Sequence, residues 1–145
     1  MKKWFIWICL LCPIAGAAQT ITISGTPWAV TLTYPFTSIM SPDPQIQISV
    51  HPEKNMNYLV TVQRDAMNWQ DELTLYIRRT GDGSGNPAYV PQGGTSWIEI
   101  SPVPRDFFWG GEKNRNNIPC QYMLNPGWPA EGAYSTTVTF TITSF

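Results

Sequence analysis

The chain has 145 residues, 9 basic and 10 acidic side chains and one histidine, giving a net charge of −1. With 13% charged residues and no basic stripe, it excludes a nucleic-acid surface built on phosphate contacts. One histidine and three cysteines also leave little material for a metal centre.

Residues 1–18 read as a secretory signal. Lys2 and Lys3 form a basic start, Trp4–Ile14 an apolar run broken by Pro13, and Ala15, Gly16, Ala17 and Ala18 a small-residue cleavage region. The run falls short of the ~20 apolar residues of a membrane span. A lipoprotein cut before Cys12 is disfavoured by Leu10 and Leu11, which stand where a small residue belongs. Cleavage after Ala17 or Ala18 removes Cys9 and Cys12, leaving Cys120 alone and no internal disulfide. It also removes two lysines, for a mature charge of about −3. The remaining residues, 19–145, suffice for one domain with its own core, expected to be secreted, periplasmic or at the cell surface, with no membrane span.

Short alternating segments then follow one another. Ile21 and Ile23 are separated by threonine; Trp28, Val30, Leu32 and Tyr34 share a face; Ile46, Ile48 and Val50 share the next. Tyr58, Val60 and Val62 come next, then Leu73, Leu75 and Ile77, then Ile98 and Ile100, Ile118–Leu124, and Val138–Ile142. These periods of two, rich in β-branched and aromatic residues, predict about eight strands. Turn chemistry fills the gaps, at Ser41-Pro-Asp-Pro44, Thr80–Pro87, Gln92-Gly-Gly94 and Asn125-Pro-Gly127. The expected fold is all-β: a single antiparallel immunoglobulin-like β-sandwich over residues 19–145, after a cleaved signal peptide.

No catalytic group stands out, and the chain is expected to be neither an enzyme nor a cofactor or metal protein. Asp82, Ser84 and Asn86 alternate like the start of a calcium loop, but Gly93 occupies the twelfth position and Pro87 the place of the loop glycine. A flexible hairpin loop is expected there. His51 has no serine elbow to serve and is expected at a strand end facing water. Asp71, Glu72 and Glu99 read as solvated surface rather than as a glycosidase pair. Cys120 alternates with Ile118, Tyr122 and Leu124, which suits a buried small hydrophobe; an intermolecular disulfide is the alternative.

The aromatics carry more. Phe107-Phe108-Trp109-Gly110-Gly111, followed by Glu112-Lys-Asn-Arg115, is expected to form an aromatic loop. Phe108, Trp109 and Trp128 are candidates to stack on a sugar ring or dock a protein, against the reading that such rings cap the core.

The chain ends in Gly132-Ala-Tyr-Ser-Thr-Thr-Val-Thr-Phe-Thr-Ile-Thr-Ser-Phe145. Val138, Phe140 and Ile142 face one way and threonines the other. With Gly132 fourteenth from the end and Phe145 last, this stretch resembles the closing strand of bacterial pilin-type subunits assembled by chaperone and usher, including those similar to spore coat protein U. The aromatic is last rather than penultimate, and the disulfide common among such subunits cannot form. The resemblance implies β-strand addition, in which main-chain bonds supply affinity and alternate side chains fill pockets. Val138, Phe140, Ile142 and Phe145 would form the recognised edge, and Ile21 and Ile23, in Gln19–Ser24, a donor. Two functions are therefore expected: an exported structural or adhesive surface subunit whose partners are other subunits or a periplasmic chaperone, or a secreted carbohydrate-binding module using loop tryptophans.

Overall fold

The computed structural model describes residues 19–145 and, through the backbone alone, residues 2–8. The proposed cleavage point, Cys9 and Cys12 lie outside the described residues. Twelve strands form among those described: β1 (Lys2–Ile8), β2 (Thr20–Gly25), β3 (Ala29–Leu32), β4 (Ile39–Met40), β5 (Ile46–His51), β6 (Tyr58–Arg64), β7 (Thr74–Arg79), β8 (Ser84–Gly85), β9 (Ile98–Glu99), β10 (Arg105–Gly110), β11 (Arg115–Asn125) and β12 (Ser135–Ser144). One short 3₁₀ turn, Pro87–Tyr89, interrupts them. Two sheets pack as a β-sandwich. One runs β10-β6-β12-β1-β3; the other runs β2-β5-β11-β7-β9, with β4 and β8 also bonded to the long β11. Every pairing is antiparallel except that of β1 with β12.

The alternation read from the sequence becomes burial. Ile46, Ile48 and Val50 of β5, Leu75 and Ile77 of β7, and Ile118, Cys120, Tyr122 and Leu124 of β11 point inward from one sheet. Tyr58, Val60 and Val62 of β6 and Val138, Phe140 and Ile142 of β12 meet them from the other in one core. Each fully buried aliphatic side chain here contributes roughly 1.5–3 kcal/mol of transfer free energy. Trp28, between β2 and β3, lies parallel to Tyr122 at 6.2 Å and 8°.

Three differences from expectation are informative. The stretch read as an aromatic loop, Phe107–Gly110, is part of β10, with a register shift between Asp106 and Phe108. A bulge places Phe107 and Phe108 both in the core, 5.0 Å apart, so the period of two disappears from the sequence just there. Lys2–Ile8, read from its composition as part of a signal, pairs as a strand inside a sheet. The two-residue strands β4 and β8 are too short to carry any period.

The loop expected to be a flexible hairpin is instead fastened down. Leu75, Ile77 and Arg79 share the inward face of β7, and Arg79 is buried at its end. Its guanidinium donates to the carbonyls of Gly93 (2.8 Å), Gly81 (3.1 Å) and Pro91 (2.9 Å) and pairs with Asp82. Arg115, buried at the start of β11, donates to the carbonyls of Asp82 (2.6 Å), Asn86 (3.0 Å) and Gly83 (3.3 Å). Two cations thus tie down the loops at one end of the sandwich by donating to their carbonyls, the buried Pro91 among them.

Candidate functional site

Two places in this fold stand out, and the residues picked from the sequence divide between them. The first is the strand position held by β1. Its Phe5–Ile8 half pairs in parallel with Ser135–Val138 of β12, and its Lys2–Phe5 half pairs antiparallel with Ala29–Leu32 of β3. Neighbouring strands lie about 4.8 Å apart, so β12 and β3 stand roughly 9.6 Å apart with one strand between them. That distance is too great for N–H to O=C bonds between the two. Among the described residues, β3 has no other strand partner. A chain lacking Lys2–Ile8 would therefore leave Ser135–Val138 of β12 and Ala29–Leu32 of β3 without this partner, two short edges offset along the strand that face each other only where Phe5 pairs with both Ser135 and Ala29. Val138 of β12 and Leu32 of β3, at the two ends of this position, are buried, and Phe140 and Ile142 continue the same buried face of β12 beyond it.

Ile21 and Ile23 are placed elsewhere. They sit on β2, half-buried against the core, opposite Val50 and Ile48 of β5. The whole of Thr20–Gly25 pairs with Ile46–His51, so lending this segment to a neighbour means separating six residue pairs. Phe145 continues β12, exchanging backbone bonds with Asn57 at 3.0 and 3.1 Å, and its ring is exposed.

The second place is a cleft of about 480 Å³ beside Trp109, at the end of the sandwich that the arginines close. Tyr89, Gln92, Trp109, Asn57 and Phe145 line it, with Gly110 and Gly111 in its wall. Trp109 points outward from β10 and is 49% exposed. Its backbone exchanges bonds of 2.8 and 3.0 Å with Gln92. Gly93 has φ +77, and a Cβ there would come within 2.6 Å of the indole, so the ring leans directly on backbone. Tyr89 leans on Gly111 in the same way, where a Cβ would come within 2.5 Å of its ring. The Tyr89 hydroxyl donates to Glu112 at 3.3 Å, and Lys113 lies 3.4 Å from the same carboxylate.

Arg79 and Arg115 set this geometry. Arg79 holds the carbonyls of Pro91 and Gly93 on either side of Gln92, and Arg115 holds that of Asn86, whose side chain caps the turn carrying Tyr89. The other two aromatic candidates fall outside the cleft. Phe108 is fully buried and packs edge-on to Tyr58 at 6.3 Å, so it supports β10 from beneath and presents no face to a ligand. Trp128 is 76% exposed in a separate cluster with Tyr34 and Phe36, at centroid distances of 6.2 and 6.1 Å.

The remaining candidates lie apart from both places. His51 ends β5 half-buried, 3.1 Å from the Asn116 amide oxygen. Cys120 is fully buried, and burial pushes its thiol well up, out of the range of a reactive thiolate. Trp97 carries the Arg78 guanidinium over its ring at 4.5 Å. Sequence reasoning passed over Arg79, Arg115, Tyr89, Gln92 and Asn57. The inward parity of Arg79 with Leu75 and Ile77 was a readable signal; the other four are brought together by pairings distant in sequence.

A scan against protein-family models matches no family, and a search of curated proteins finds no similar sequence.

Proposed function

We propose that this chain is an exported structural or adhesive surface subunit, an immunoglobulin-like domain that takes up an extended segment of another polypeptide by β-strand addition. One observation carries the reading: a strand position in the interior of a sheet is held by Lys2–Ile8, residues whose composition is that of a removable signal. Once they are cleaved, β12 and β3 present two unpaired edges over an apolar floor. An open edge of this kind recruits a strand, from another subunit or from an assembly chaperone. The terminal pattern from Gly132 to Phe145 supports the same reading through its resemblance to pilin-type closing strands. Val138 lies at the end of the vacated position, Phe140 and Ile142 extend the recognised face beyond it, and the β12 backbone acts as the edge. Ile21 and Ile23 serve as donor only by leaving β5, as happens when an edge strand is swapped between copies.

The experiment compares residues 19–145 with the same protein carrying a second copy of Gln19–Gly25 after Phe145 on a flexible linker. The first should self-associate, and the second should be monomeric and more stable by about 3 kcal/mol or more, measured by denaturant unfolding and light scattering. Residues 19–145 that are monomeric and as stable as the extended form would rule out the acceptor slot.

A further inference from the structure

We infer that the cleft beside Trp109 is a binding site for an uncharged saccharide, separate from the strand slot and independent of the strand-addition reading. The indole has one side on the Gly93 backbone and is half exposed, so it offers a fixed flat apolar surface rather than a mobile side chain. A pyranose presents C–H groups on one face and hydroxyls around its rim, and it needs such a surface with hydrogen-bonding groups beside it. Those groups are at hand. Gln92 donates through Nε2 to the Val90 carbonyl at 3.2 Å, which fixes the amide while its Oε1 makes no bond among the described residues. The exposed Asn57 pairs with Phe145 through its backbone, and its side-chain amide makes no bond among the described residues. Tyr89 closes the opposite wall.

The Glu112 carboxylate beside Tyr89 is engaged by the Tyr89 hydroxyl and by Lys113, so this pair presents no uncompensated side-chain charge. The cleft volume of about 480 Å³ falls within the range of small-ligand pockets, roughly 300–1,000 Å³. It is also preformed: two buried guanidiniums hold the segments bearing Tyr89, Gln92 and Gly93, which removes much of the ordering cost of binding.

The test titrates residues 19–145 with neutral gluco-, manno-, galacto- and chito-oligosaccharides, reading tryptophan fluorescence and calorimetry. At least one should bind. Trp109→Ala should weaken it about tenfold or more, Trp109→Phe should restore part of the loss, and Gln92→Ala should weaken it severalfold. Trp128→Ala, in the other aromatic cluster, should leave binding within about twofold. Self-association should be unchanged by Trp109→Ala, so loss of sugar binding and loss of assembly are read separately. The inference is overturned if no neutral oligosaccharide binds, if binding survives Trp109→Ala, or if anionic sugars bind best with an affinity that falls with salt.

Discussion

The two N-terminal strands sit in opposite situations. Thr20–Gly25 lies on the rim of its sheet, bonded to β5 on one side only. Lys2–Ile8 lies between two strands of the other sheet, bonded to β3 through Lys2–Phe5 and to β12 through Phe5–Ile8. Losing an edge strand shortens a sheet by one strand and leaves the rest intact. Losing an interior strand splits the sheet and orphans β3, which has no other strand neighbour among the described residues. Among the described residues, the strands of the sheet built on β11 all fall within residues 19–145, while the sheet built on β12 includes Lys2–Ile8 between β12 and β3.

The largest expected effect breaks the comparison directly. In residues 19–145 without an added strand, amides of Ala29–Leu32 should lose at least about a hundredfold of their hydrogen-exchange protection relative to the full chain, while β11 amides keep theirs. Equal protection of β3 in the two proteins would remove the asymmetry. A smaller effect sharpens the other side. Arg79→Ala should cost about 3 kcal/mol in denaturant unfolding, because it strands the carbonyls of Gly81, Pro91 and Gly93. The loss should be similar with or without residues 1–18, since Arg79 belongs to the self-contained sheet.

The smallest concerns Tyr58, on the β12 sheet, whose hydroxyl is buried with no hydrogen-bond partner among the described residues. Tyr58→Phe should change stability at neutral pH by less than about 1 kcal/mol. Burial pushes the Tyr58 phenol up from 10.0 to about 12, against the nearby charges of Arg115 and Arg79. Between those values the unfolded chain has released the proton and the folded chain still holds it. Stability therefore falls as pH rises from about 10 toward 12. Phenylalanine at this position should make that limb of the pH–stability curve shallower, the remainder coming from the fully buried Tyr122 phenol, which burial also raises; an unchanged limb would show that the Tyr58 phenol does not contribute.

Much of the sandwich was legible because a half-buried strand writes its burial into every second residue. Ile46-Gln-Ile-Ser-Val50 and Val138-Thr-Phe-Thr-Ile142 could hardly be read otherwise, and both became inward faces. The signal failed where local geometry overrides the period. The bulge at Asp106–Phe108 sends two adjacent rings inward, so a strand looked like a loop and the wholly buried Phe108 looked like a ligand contact. The cleft was half legible: Trp109 stood out by its composition, but its partners lie at positions 57, 89, 92 and 145, joined by strand pairing and not by spacing.

By itself, then, the sequence determined the all-β class, the inward faces of the main strands and the signal-like character of residues 1–18, since each rests on residue type and short-range period. Tertiary structure decided which strands are neighbours, that Thr20–Gly25 takes a rim while Lys2–Ile8 takes an interior position, and that Trp109 and Trp128 stand apart. Those outcomes depend on hydrogen bonds and contacts between segments up to 130 residues apart, for which a period of two carries no information about the partner.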